Sequence, residues 1–81
     1  MYITEKVKDS VWNKARLIPR KNPKLYRKDR FGFPIYKPSY GKTSAMGWEL
    51  DHILPSSKGG SDSILNLQPL YWLANRLKSN K

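Results

Sequence analysis

The chain has no cysteine. That excludes disulfides and any zinc site built on thiolates, and it fits a reducing compartment. Long apolar runs are missing as well: the longest is a few residues, where a membrane-spanning helix needs about 20. The first residues, MYITEKVKDSVW, lack the apolar stretch of a secretory signal. A cytoplasmic location and no membrane partner are therefore expected. Acidic residues are scarce, six Asp and Glu against sixteen Lys and Arg, for a net charge of +10. A small domain stays soluble with a net charge magnitude of about 2–8. The larger excess points to a polyanionic partner, nucleic acid ahead of an anionic membrane face. Histidine is scarcer still, with one in 81 residues, His52.

A chain of this length makes one domain (residues 1–81) with a small core, burying only about 60% of its unfolded surface. Residues 4–16 carry Val7, Val11 and Ala15 at i, i+4 and i+8, the spacing of one helical face. Thr4 suits the N-cap and Glu5 the first turn, and Pro19 closes an N-terminal helical segment spanning 1–18. Residues 19–46 form a basic and aromatic extended region. Its first part, PRKNPKLYRKDR, holds six of the positive charges and is either a phosphate-contacting arm or a solvated loop. In FGFPIYKPSYGKTSAM, Phe31, Phe33, Ile35 and Tyr36 are expected in the core, as are Trp12, Trp48 and Trp72. Residues 47–81 then order as strand (48–54), glycine-rich loop, short strand (66–70) and helix (70–79). On that helix Leu70, Leu73, Ala74 and Leu77 would share an apolar stripe. The overall class is α+β.

Within this last segment four residues stand out. Imidazole is the side chain that changes charge near neutral pH, so His52 suits a general base. Asp51 offers a carboxylate at a strand end and Asn75 an amide oxygen from a helix. Oxygen ligands of that kind suit Mg²⁺ or Mn²⁺ with retained waters. Asn66 can hold either the His52 segment or its ring by hydrogen bonds. Neighbours on a regular strand face opposite ways, so Asp51 and His52 share a site only where the strand ends, which Pro55 and the glycines after it make plausible. Alone, an Asp-His pair is most often an ordinary solvated pair, and a helical Asn signals little.

The joint pattern says more. Asp51-His52, Pro55, Lys58-Gly59-Gly60, Asp62, Asn66-Leu67-Gln68-Pro69-Leu70, Asn75-Arg76 and Lys78 strongly resemble the HNH endonuclease family, in order and spacing. The resemblance covers about the last 35 residues well. It implies a ββα-metal finger, with an N-terminal helix bracing it, that hydrolyses DNA phosphodiesters. It further implies His52 as general base, Asn66 as the residue orienting it, and Asp51 and Asn75 as ligands of one divalent cation, Mg²⁺ foremost and Mn²⁺ or others next. Many members carry histidine where this chain has Asn75, and many are stapled by paired CxxC motifs that are missing here. Lys58, Arg76 and Lys78 would contact DNA, mainly its phosphates, with an oligomer or a larger nuclease assembly left open. The competing expectation is a basic DNA- or RNA-binding module that keeps the finger without turnover.

Overall fold

The structure is a computed structural model and describes residues 2–79. Helix α1 (Glu5–Trp12) starts at Thr4, whose hydroxyl accepts from the Val7 amide at 3.1 Å. It is shorter than the periodicity of residues 4–16 predicts. Lys14 and Ala15 donate to Val11 and Trp12, three residues back, which tightens the last turn. Arg16–Leu17 then leave it as strand β1. Val11 and Trp12, on the inner side of the helix, are buried.

β1 pairs antiparallel with β2 (Tyr26–Lys28), which pairs antiparallel with β3 (Pro34–Tyr36). The basic segment 19–30 is therefore only partly a connector, since its end is the central strand of a sheet. Tyr26 faces Tyr36 across the ladder with ring centroids 5.0 Å apart, a cross-strand pair of the stabilising kind. Arg27 does not reach outward. Its guanidinium donates to the carbonyls of Pro23, Asn13 and Ala15.

The β2–β3 turn is organised by Asp29, which is buried. Its Oδ1 accepts from the amides of Phe31 and Phe33, and its Oδ2 from Tyr71 at 3.0 Å. This turn corrects the expected core. Phe31 and Phe33 are 55% and 44% exposed, while Ile35 is fully buried. Strand alternation leaves one inward position in so short a β3, and Ile35 takes it. Phe33 lies instead against Tyr71, with ring centroids 5.3 Å apart.

The second sheet pairs β4 (Trp48–His52) with β5 (Leu67–Tyr71), antiparallel, in the register Trp48↔Tyr71 through His52↔Leu67. Helix α2 (Trp72–Ser79) follows β5 with no intervening loop. Together these elements are the ββα unit of an α+β fold. The helix starts two residues later than the stripe from Leu70 predicts. Leu70 is a fully buried strand residue, whereas Leu73 and Leu77 are 41% and 58% exposed. Pairing of β5 along all of β4 overrides helical periodicity there. It also turns the side of α2 bearing Asn75 and Lys78 toward the sheet. The two halves share a core of Trp12, Ala15, Ile35 and Trp48, with Tyr40 and Tyr71 packed on it. Trp72 is only half-buried, its indole donating to the Ser44 carbonyl at 2.7 Å.

Candidate active site

β4 and α2 converge on an open cleft of about 470 Å³, lined among others by Asp51, His52, Ser57, Lys58, Asn75 and Lys78. Asp51 and His52 reach one cleft because His52 is the last residue of β4 and the chain turns away beyond it. The sites expected from the sequence thus lie together, apart from Asn66 and Arg76.

The His52 ring is held by a residue to which the sequence reading gave no role. Nε2 lies 2.7 Å from Oδ1 of Asp62. A carboxylate only accepts, so Nε2 carries the hydrogen and a neutral ring keeps its lone pair on Nδ1. Asp62 belongs to the run that resembles the family, but nothing in the spacing pairs it with His52, ten residues away across an irregular loop.

Asn66 acts on the segment rather than the ring. Its Oδ1 accepts from the Leu54 amide at 2.8 Å, and its Nδ2 donates to the carbonyls of Leu54 at 3.1 Å and Ser61 at 2.8 Å. Its own carbonyl accepts from Ile53 at 2.8 Å. Both glycines of the loop have a geometric reason. Gly59 is left-handed at φ 89°, and L side chains disfavour that conformation. A Cβ on Gly60 would fall 1.8 Å from the Leu54 carbonyl oxygen. Asn66 and Gly60 together cinch the loop that carries Asp62 back over the end of β4.

Asp51, only 9% exposed, accepts from Nε2 of Gln68, its register partner on β5, at 2.8 Å. It also holds the Lys78 ammonium, 2.8 Å from Oδ2 and 3.0 Å from Oδ1. Asn75 donates from Nδ2 to Oε1 of Glu49 at 2.9 Å. The acceptor-only carboxylate fixes the amide's orientation and directs Oδ1 away from Glu49. Glu49 takes Arg76 on its other oxygen at 3.2 Å. Glu49 precedes Asp51 by two on a strand and so shares its face, a signal present in the sequence.

The donor set suits a hard cation. Among the described residues no group of three or more His, Cys, Asp or Glu forms a metal cage. One carboxylate with one amide oxygen matches an ion that retains several waters, and the carboxylate already holds a cationic group, the Lys78 ammonium. Lys58 is exposed at the cleft wall. No helix among the described residues is long and apolar enough to cross a membrane.

No curated protein and no solved structure matches the chain. The family model for HNH endonuclease matches residues 38–81, more than half the chain, and covers the whole of β4, the cinched loop, β5 and α2. With that match laid over a strand–loop–strand–helix unit whose Asp51, His52 and Asn75 line one cleft, the chain belongs to the HNH endonuclease family.

Proposed function

We propose that this protein is a DNA endonuclease that depends on one divalent cation, with His52 as the general base. The observation that carries the reading is the His52–Asp62 contact at the mouth of the cleft that also receives Asp51 and Asn75. Asp62 holds the tautomer that leaves the Nδ1 lone pair free to take a proton. His52 removes that proton from a water attacking phosphorus in line with the 3′ oxygen. The P–O3′ bond breaks, leaving a 5′-phosphate and a 3′ oxygen that takes a proton from solvent water to become the hydroxyl. Asn66 keeps the loop closed behind the ring. Asp51 and Asn75 would hold the cation, Mg²⁺ or Mn²⁺ by ligand type. When bound, it supplies Lewis-acid stabilisation of charge on the phosphate and leaving oxygens. Lys58 and Arg76 contact neighbouring phosphates, so affinity comes mainly from the backbone.

The test is nicking of supercoiled plasmid with Mg²⁺ or Mn²⁺. Wild type cuts, while His52→Ala binds DNA and cuts at least about 100-fold more slowly, the usual scale of a lost general base. Equal cutting by His52→Ala removes His52 from the chemistry. DNA binding without cutting by wild type makes the protein a binding module that has kept the finger.

A further inference from the structure

Lys78 follows Asn75 by three positions on α2, so both side chains sit over the same part of the cleft. Its ammonium donates to both oxygens of Asp51, at 3.0 and 2.8 Å, and to the His52 carbonyl at 3.0 Å. Three contacts occupy every donor an ammonium has. It is therefore seated on the carboxylate as a monovalent ligand-held cation would be.

We propose that Lys78 is a built-in competitor for the divalent cation, the ammonium and the ion taking the Asp51 carboxylate in turn. The inference rests on the reading of Asp51 as an ion ligand. A second positive group beside an ammonium about 4 Å away is repelled even under water-like screening, so joint occupancy is disfavoured. Exchange is mechanically easy. Lys78 lies in the last turn of α2, and its four-carbon stem can swing without moving the backbone. Gln68 stays on Oδ2, which keeps the carboxylate aimed into the cleft after the ammonium leaves. Lys78 would thus keep a nearly buried charge paired and set the ion concentration at which the site loads.

The experiment measures Mn²⁺ binding to the full chain without DNA, following free Mn²⁺ by electron paramagnetic resonance. Lys78→Met and Lys78→Gln remove the charge, and each should bind Mn²⁺ roughly ten-fold more tightly than wild type. Lys78→Arg keeps the charge and should stay near wild type. Asp51→Asn should lose binding in every background. Tryptophan fluorescence checks folding, and two neutral variants guard against failure of one. Unchanged or weaker Mn²⁺ binding in the folded neutral variants overturns the competition while leaving Asp51 as a ligand. No binding by wild type or neutral variants, or full binding by Asp51→Asn, overturns the ion-site reading itself and the competition with it.

Discussion

Replacing Asn66 by aspartate changes one atom type and little volume, yet three contacts depend on it. Oδ1 keeps the Leu54 amide, 2.8 Å away. The Nδ2 position, which donates to the Leu54 and Ser61 carbonyls at 3.1 and 2.8 Å, becomes an acceptor facing two acceptors. Two lost hydrogen bonds cost about 1 kcal/mol each, and the lone-pair repulsion adds to that, for about 2–3 kcal/mol in all. A domain of this size has roughly 4–12 kcal/mol of stability, so the variant should still fold. Its urea midpoint, read from tryptophan fluorescence, should fall accordingly. Activity should suffer more than DNA binding. The loosened loop carries Asp62 at one end and joins His52 at the other, and a displacement of about 1 Å at a reacting group costs up to about 100-fold. Plasmid nicking should therefore drop by about 10- to 100-fold. An unchanged midpoint with unchanged nicking refutes the clamp. An unchanged midpoint with lost nicking refutes it differently, since Asn66 would then act on the ring or substrate.

Asp29→Asn turns one acceptor of three backbone amides into a donor, and should destabilise the protein by about 2–3 kcal/mol in the same urea assay; a shift under about 0.5 kcal/mol would deny Asp29 its bracing role. Burial, opposed by the Lys8 ammonium, raises the Tyr40 phenol above its ordinary 10.0. The folded state thus holds that proton more tightly, and its contribution to stability is full below the unfolded value and is lost as pH climbs through the folded one. Phenolate absorbance should show this late ionisation, and its absence in the wild type would contradict the packing of Tyr40 on Trp48. DNA affinity should fall steeply with salt, by about 0.9 log units per log unit for each phosphate neutralised, and a flat response would argue against backbone contacts. A fragment of residues 38–81 should show no cooperative unfolding, because it lacks Trp12, Ala15 and Ile35 of the shared core.

The finger was legible because its signals are local and ordered: a strand ended by proline, a double glycine, and a run from Asn66 to Leu70. The α2 boundary was not. Leu70 and Leu73 fit a helical stripe as well as Leu70 fits a strand, and only the pairing Glu49↔Leu70 decides between them. Of the first sheet only the extended character of residues 31–46, which hold β3, was legible; β1, β2 and their pairing were not. Strands of two or three residues are too short to display alternation. Asp29 reads as one more charge in a basic run until its three amide partners are seen. Lys78 likewise reads as a phosphate ligand until its partner on β4 is known. Long-range partners decide what a charged side chain does, and spacing along the chain does not encode them.

Those partners also explain how a finger stands without the thiolate-held zinc that braces many relatives. At one end, Trp48 packs on Trp12 with centroids 5.2 Å apart. Both indole N–H groups are satisfied, by the Lys37 and Pro23 carbonyls, so two large rings are buried without an orphaned donor. Beside them Asp29 ties the β2–β3 turn to Tyr71, where β5 hands over to α2. At the other end, Lys14 donates to the carbonyls of Ile64 and Leu67, holding the entry to β5 opposite His52. The strands that position Asp51 and His52 are thus held at both ends by residues outside the matched segment. Catalytic geometry needs tolerances near 0.5 Å. In this chain the finger carries Asp51, His52 and Asn75, and the N-terminal half supplies much of the rigidity that keeps them in register.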